Sequence, residues 1–204
     1  MSGTTIIYPN VEIGDGTVIE DFCIIGKPPA GKSEGELRTV IGAGSLIRSH
    51  TVIYAGNEIG PGFATGHHVC IRESNKIGAN VSVGTLSCIE HHVSIGDNVR
   101  IHSQAFVPEF TVLETDSWVG PQVTFTNARY PKSKRTKENL QGPRVCKNAK
   151  VGANATVLPG MVIGEGALVG AGAVVLEDVP AGKIVVGNRA SYVGNVADIP
   201  DYKE

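Results

Sequence analysis

The sequence predicts an all-β fold in which many short strands pack in thin, regular layers. The 204 residues include 26 glycines but only 5% aromatic residues, so the core has to be filled by small and β-branched side chains. Large aliphatic residues also recur at every sixth position through residues 41–125. A period of six fits neither an α-helix nor a simple alternating strand, and it indicates one structural unit repeated along the chain.

The six-residue repeat is almost unbroken across this run. Fourteen of its fifteen positions are large and apolar, and Thr65 is the exception. The residue four positions after each aliphatic is usually small or β-branched, and a glycine often follows the aliphatic directly. The fifteen positions are Ile41, Ile47, Ile53, Ile59, Thr65, Ile71, Ile77, Val83, Ile89, Ile95, Ile101, Val107, Leu113, Val119 and Phe125.

Two interruptions divide the repeat and are predicted to be loops. The frame breaks at residues 27–40 and at residues 126–150, and it resumes after each break. Both segments contain proline, glycine and charged residues, which is typical of loops. We therefore expect one domain over residues 1–190 that carries both insertions, followed by a C-terminal tail of residues 191–204.

Charge and composition limit which binding partners and which cellular compartment we expect for this protein. The net charge of −2 argues against a nucleic acid or an anionic membrane as the main partner. Residues 1–10 lack the features of a signal peptide, and no apolar stretch is long enough to span a membrane. The four cysteines form no CxxC pair, so we expect reduced thiols in a cytoplasmic protein and no metal site.

The repeat resembles the hexapeptide of left-handed parallel β-helix acyltransferases, and the resemblance covers nearly the whole chain. In that family three hexapeptides make one triangular coil of eighteen residues, and each short strand places one aliphatic side chain inside. The resemblance implies a left-handed parallel β-helix of hexapeptide repeats with two external loops and a short C-terminal tail. It also implies a homotrimer with active sites in the clefts between neighbouring prisms.

The end of the repeat points to the co-substrate. Residues 151–188 look like the terminal coils of acyl-coenzyme A-dependent members, in which backbone amides and small residues line a groove for pantetheine. The resemblance implies acetyl-CoA or another acyl-CoA as co-substrate. The residues expected to hold it are Lys150, Gly152, Gly170, Ala171 and Arg189, the last of which stands where the family usually has proline.

Stacked coils bring residues eighteen apart into columns, and one column suits acid–base chemistry. Glu73, His91 and Glu109 share this column, so an imidazole is expected between two carboxylates. A carboxylate beside a histidine fixes its tautomer and raises its basicity, as a general base requires. We therefore expect His91 to be the base, with Glu73 and Glu109 as its catalytic partners.

A second resemblance supports His91. Residues 89–97 (IEHHVSIGD) resemble the Val-Asp/Glu-His-Asp/Glu-Cys-x-Ile-Gly-Asp segment of N-acetyltransferases acting on UDP-4-amino sugars. In those enzymes the histidine is the base, and the acid that follows orients it. Here His92 follows, so we expect Glu73, Glu90 or Glu109 to orient His91.

The second loop suggests the acceptor. Residues 123–131 (VTFTNARYP) resemble the Phe-Thr-Asn loop of N-acyltransferases for nucleotide-linked 3- or 4-amino sugars. This resemblance implies substrate contacts from the loop, where a cation could meet a pyrophosphate and a ring could meet a base or sugar. The expected substrate-binding residues are His67, His68, Glu90, His92, Asn127, Arg129 and Tyr130.

The leading hypothesis is an N-acyltransferase for a nucleotide-linked amino sugar, and three alternatives stay open. An O-acetyltransferase for a sugar or other small acceptor is disfavoured because the Asp-His that precedes the long loop in such enzymes is missing. A γ-type zinc carbonic anhydrase on this fold needs three converging histidines, and His67, His91 and His102 lack the expected spacing. A non-catalytic β-helix scaffold would not explain the histidines or the acyltransferase-like last coils.

Overall fold

A computed structural model describes residues 4–188, which wind as a left-handed parallel β-helix. Almost every strand has only two residues, because each six-residue unit leaves four residues for the corner that follows. In chain order the strands are β1 (Ile6–Ile7), β2 (Val11–Ile13), β3 (Val18–Ile19), β4 (Ile24–Lys27), β5 (Thr39–Ile41), β6 (Leu46–Ile47), β7 (Val52–Tyr54), β8 (Glu58–Ile59), β9 (Ala64–Thr65), β10 (Cys70–Ile71), β11 (Lys76–Ile77), β12 (Ser82–Val83), β13 (Cys88–Ile89), β14 (Ser94–Ile95), β15 (Arg100–Ile101), β16 (Phe106–Val107), β17 (Val112–Leu113), β18 (Trp118–Val119), β19 (Thr124–Phe125), β20 (Arg144–Val145), β21 (Lys150–Val151), β22 (Thr156–Val157), β23 (Val162–Ile163), β24 (Leu168–Val169), β25 (Val174–Val175) and β26 (Ile184–Val185).

Three parallel sheets form the walls of a triangular prism. Sheet A runs from β1 through every third strand to β25, and sheet B runs from β2 in the same way to β23. Sheet C runs from β3 to β24 and ends with β26. We call the corners between the sheets the A–B edge, the B–C edge and the C–A edge, in the order in which the chain passes them.

The interior is filled by the hexapeptide positions, as the sequence predicts. All fifteen positions of the run from residue 41 to residue 125 are buried, including the exceptional Thr65. The Thr65 hydroxyl accepts a hydrogen bond from the Arg48 backbone N–H at 2.9 Å and lies 3.3 Å from the Thr51 hydroxyl. A polar group is tolerated at this inward position because it has partners.

The strand register confirms the predicted eighteen-residue stacking. Ile71 pairs with Ile53 on one side and with Ile89 on the other, and Ile89 pairs with Val107. Side chains at equivalent positions of successive coils therefore form columns along each face and edge of the prism.

Both loop insertions are shorter than the sequence predicts. Lys27 still belongs to β4, and β5 begins at Thr39, so the first loop comprises residues 28–38. The second loop comprises residues 126–143 and contains a 3-10 helix at Thr136–Asn139, because β20 has already returned to sheet B. The sequence prediction was wrong here because Val145, six residues before Val151, is a further buried hexapeptide position.

The two loops leave the prism at the same edge. The first connects β4 of sheet A to β5 of sheet B, and the second connects β19 of sheet A to β20 of sheet B. Four tight turns of the A–B edge lie between them, at residues 55–57, 73–75, 91–93 and 109–111. The predicted tail at residues 191–204 lies outside the described residues, and no helix within residues 4–188 has the length and apolarity to cross a bilayer.

Candidate active site on the A–B edge

The predicted column of Glu73, His91 and Glu109 lies on the A–B edge. Each of these residues is two positions after an inward-facing residue of sheet A, and those inward residues pair in register. The backbone beside the column is fixed from inside the prism, because the Val93 N–H donates to the buried Asn75 side chain at 2.7 Å. The three side chains are mostly buried, with 15%, 28% and 24% of their surfaces exposed.

His91 has a polar partner near each ring nitrogen. Its Nδ1 lies 2.7 Å from Nδ1 of His92, and its Nε2 lies 3.5 Å from Oε1 of Glu109. The His92 backbone has a φ of 58°, and the two imidazole rings meet edge to face. The shortest polar contact of His91 is therefore with His92, although the sequence predicts that a glutamate orients it.

Glu109 links the histidine to the base of the second loop. Its Oε2 accepts a hydrogen bond of 2.7 Å from the side-chain amide of Asn127, which is the next residue of the same column. The Asn127 carbonyl in turn accepts a hydrogen bond from the Gln141 N–H at 2.9 Å, which ties the two ends of the loop together. Asn127, predicted to bind substrate, here holds a carboxylate of the column.

Glu73 is engaged by a cation instead. Arg72 donates two hydrogen bonds to its carboxylate, at 2.9 and 3.0 Å, and Arg72 also lies 3.3 Å from Glu90. Although burial raises the pKa of Glu73, the hydrogen bonds from Arg72 hold this pKa below its ordinary value. Of the three glutamates that were candidates to orient His91, Glu109 is therefore the one that forms the contact.

The sequence analysis did not include three residues that contact this region, namely Tyr54, Arg72 and Phe110. The Arg72 guanidinium lies over the Tyr54 ring at 5.1 Å from its centroid, and Phe110 packs against both His91 and His92. The eighteen-residue spacing could have identified them, because Tyr54 and Arg72 fall in one column with Glu90, and Phe110 falls in one column with His92.

His67 and His68 lie on a different edge of the prism. They follow β9 of sheet C, so they occupy the C–A edge and do not meet His91 within one chain. His67 Nδ1 is 2.8 Å from the Ser49 hydroxyl, and the His68 ring stacks on the His50 ring at 4.5 Å.

The residues expected to bind coenzyme A gather near the C–A edge, toward the C-terminal end. Gly152, Gly170 and Ala171 lie in its last turns, and the exposed Lys150 precedes Gly152 in β21. A Cβ at Gly152 would lie 2.6 Å from the Ala171 backbone nitrogen, so only glycine permits this close packing of turns. Arg189 lies outside the described residues.

The remaining predicted substrate residues lie in the second loop. Arg129 is exposed and Tyr130 is half-buried. The Tyr130 carbonyl accepts hydrogen bonds from the Thr136 hydroxyl at 2.8 Å and from the Ser133 N–H at 3.3 Å. The loop therefore has internal structure, and it stands directly C-terminal to the column of His91 and Glu109.

Within residues 4–188, no group of three or more His, Cys, Asp or Glu side chains is arranged to hold a metal ion. The three histidines of the carbonic anhydrase alternative are divided between two edges, since His67 and His102 follow sheet C and His91 follows sheet A.

Comparisons with known proteins agree with this architecture. The family described as bacterial transferase hexapeptide (six repeats) matches residues 76–109 and 142–177. The 2,3,4,5-tetrahydropyridine-2,6-dicarboxylate N-acetyltransferase of Staphylococcus aureus (strain JH9) is 44% identical over 54 residues, which cover 26% of this chain and 23% of that protein. The chain therefore matches less than a quarter of the length of this curated relative.

Two solved structures share the fold over most of the chain. The UDP-N-acetylglucosamine acyltransferase of Francisella novicida has a TM-score of 0.76 at 18% identity, covering 91% of this chain and 66% of its own. The UDP-N-acetylglucosamine acyltransferase of Bacteroides fragilis 9343 has a TM-score of 0.57 at 17% identity, covering 93% of this chain and 71% of its own.

The fold and the site together define a left-handed β-helix protein with a histidine–carboxylate column on one edge. Two stretches of its repeat, residues 76–109 and 142–177, match the bacterial transferase hexapeptide model, in agreement with the resemblance that the sequence shows.

Proposed function

We propose that the protein is an acyl-CoA-dependent N-acyltransferase, in the simplest case an N-acetyltransferase, that acts on the amine of a nucleotide-linked amino sugar. His91 is the general base. The observation that carries this proposal is the placement of His91 between His92 and Glu109, on the edge from which both loops project. The hexapeptide transferase repeats and the N-acetyltransferase relative support the same reaction class.

The contacts of His91 suit proton removal from an amine. When the proton of neutral His91 is on Nδ1 and forms a hydrogen bond to His92 Nδ1, the lone pair of Nε2 is available to a substrate. Because Nε2 and Glu109 Oε1 are 3.5 Å apart, one amine nitrogen fits within hydrogen-bonding distance of both atoms. The neutral amine attacks the thioester carbonyl while one of its protons moves to Nε2, and the resulting imidazolium faces the Glu109 carboxylate. The carbon–sulfur bond then breaks, and the leaving coenzyme A thiolate takes up the proton from Nε2, which restores the neutral imidazole.

Glu109 also favours an amine over a hydroxyl as acceptor. Amino groups of sugars are largely protonated near neutral pH, and a carboxylate attracts this cation before the proton is lost. Asn127 keeps the Glu109 carboxylate in place through its 2.7 Å hydrogen bond. A sugar hydroxyl carries no charge and gains less from this carboxylate.

A complete site on this fold needs two copies of the chain. The candidate base lies on the A–B edge, whereas Gly152 and Gly170 lie on the C–A edge, so one prism does not bring them together. In the proposed homotrimer, the C–A edge of one prism, with His67 and His68, faces the A–B edge of its neighbour. The loop of residues 126–143 then covers the sugar nucleotide, with Arg129 near its phosphates.

The test is an assay of acetyl transfer to a panel of sugar nucleotides, in which turnover is monitored by the release of the coenzyme A thiol. We expect turnover with amino sugars and little with the matched hydroxy sugars. His91→Ala should lower turnover roughly 10²–10⁴-fold, while coenzyme A still protects the variant in a thermal-shift titration. Turnover near the wild-type value in His91→Ala, or equal rates with amine and hydroxyl acceptors, contradicts the proposal.

A further inference from the structure

Two cysteines that the proposed reaction does not use are neighbours on the outer face of sheet A. Cys70 in β10 and Cys88 in β13 are directly paired in parallel register. The residues that follow them, Ile71 and Ile89, point into the core, so both thiols point outward, and both are half-buried.

The backbone geometry of this pair is compatible with a disulfide. Neighbouring strands lie about 4.8 Å apart, and disulfides join residues whose Cα atoms are about 4.4–6.8 Å apart. Residues paired in register on parallel strands point to the same side of the sheet, so the two thiols lie side by side on adjacent coils. Side chains that run parallel rather than converge impose some strain, and strained disulfides are the more easily reduced ones.

The two thiols also differ in pKa, and thiol–disulfide exchange requires one thiol that ionises readily. A hydrogen bond from Cys88 lowers the pKa of Cys70 to about 7, and the nearby Arg72 and Lys27 act in the same direction against the effect of burial. The same hydrogen bond, together with burial, raises the pKa of Cys88. Because the Cys88 sulfur lies 3.7 Å from the Glu90 carboxylate, which disfavours a second negative charge there, we take Cys70 as the attacking thiolate and Cys88 as the thiol that resolves the intermediate.

We propose that Cys70 and Cys88 form a reversible modification site that is oxidised to a disulfide by low-molecular-weight disulfides such as glutathione disulfide. The Cys70 thiolate attacks one sulfur of the oxidant, and one glutathione thiolate leaves. Cys88 then loses its proton and attacks the Cys70 sulfur, which expels the second glutathione. Two protein thiols are oxidised, one disulfide is reduced to two thiols, and the two protons end on the released glutathiones.

The site adjoins the acceptor region without being part of it. The Cys88 sulfur lies 3.7 Å from Oε1 of Glu90, whose other oxygen faces Arg72 at 3.3 Å. Disulfide formation replaces the contact between Cys88 and Glu90 with a covalent bond between two successive coils.

The test equilibrates the folded full chain in glutathione redox buffers, quenches it with acid, alkylates the free thiols in denaturant so that the buried Cys23 is also labelled, and identifies the peptides by mass spectrometry. We expect a Cys70–Cys88 cross-link within one chain that is reversed by dithiothreitol, while Cys23 and Cys146 are recovered alkylated. The same mixture in concentrated urea should give scrambled pairs, since the register that selects this pair is then lost. Recovery of both thiols unlinked from the folded chain at every redox ratio overturns the proposal, as does a cross-link that joins two chains.

Two variants separate the roles of the thiols. In Cys88→Ser the mixed disulfide of Cys70 with glutathione should accumulate, because the resolving thiol is gone. Cys146→Ser is the matched control and should form the Cys70–Cys88 cross-link at the wild-type rate. A Cys88→Ser chain that acquires no glutathione on Cys70, or a Cys146→Ser chain that loses the cross-link, refutes the assignment.

Discussion

The contact between His91 and His92 leads to the most direct test of the proposed mechanism. His92→Gly removes the imidazole that meets His91 Nδ1 at 2.7 Å, and glycine adopts the φ of 58° at this corner without strain. His92→Asp supplies a carboxylate in place of the imidazole, and aspartate tolerates this conformation better than most residues.

The expected magnitude follows from the type of hydrogen bond. A bond between two neutral groups contributes about 0.5–1.5 kcal/mol, which corresponds to a loss of roughly 2- to 12-fold in turnover if the bond serves only to hold the reactive tautomer. We expect kcat of His92→Gly to fall by this factor, far less than in His91→Ala. His92→Asp should recover most of the loss, because a carboxylate accepts the same proton.

The assay is thiol release at saturating acetyl-CoA, with kcat and the KM for the sugar nucleotide measured separately. Asn98→Gly is a matched control, because Asn98 has the same φ of 58° and is exposed at a corner of the B–C edge. The proposed role of His92 is refuted if His92→Gly retains full kcat, if Asn98→Gly loses as much as His92→Gly does, or if His92→Asp restores none of the loss.

Three further outcomes are expected. Glu109→Gln should lower kcat with amine acceptors roughly 10- to 100-fold and leave coenzyme A affinity unchanged in calorimetry; equal losses in both would contradict its role at the amine. Gly152→Ala should destabilise the fold by about 1–3 kcal/mol, because its Cβ would lie 2.6 Å from the Ala171 nitrogen, and thermal melts should show a Tm lower by roughly 2–4 °C per kcal/mol. The lowered pKa of Glu73 means that its ion pair with Arg72 stabilises the fold above the ordinary glutamate pKa and that this contribution is lost as pH falls through the folded-state pKa. Urea titrations of Glu73→Gln should therefore show a deficit at pH 7 that shrinks in acid, and a deficit independent of pH would contradict the ion pair.

The six-residue period could predict the interior and the columns because every coil repeats the same backbone. It placed Glu73, His91 and Glu109 on one edge, and the strand register confirms this. The same rule could also have separated His67 from His91, since these residues are 24 positions apart and 24 is not a multiple of eighteen.

Other features depend on backbone detail that a period does not carry. The contact between His91 and His92 arises where one corner residue adopts a positive φ, which brings two adjacent side chains together. The return of the chain at Val145 was missed because a single hexapeptide between a loop and Val151 gives too short a signal. Which glutamate contacts His91 depends on which carboxylates Arg72 binds, and this is decided by side-chain packing.

The emergence of both loops from the A–B edge makes the distance between them a matter of counting coils. Each additional coil of eighteen residues would move the second loop about 4.8 Å farther from the first and leave the inward-facing layers chemically unchanged. The length of the edge that is available to a ligand between the two loops can therefore change only by whole coils of eighteen residues. Deleting or duplicating one such unit would resize the cleft without redesigning its walls.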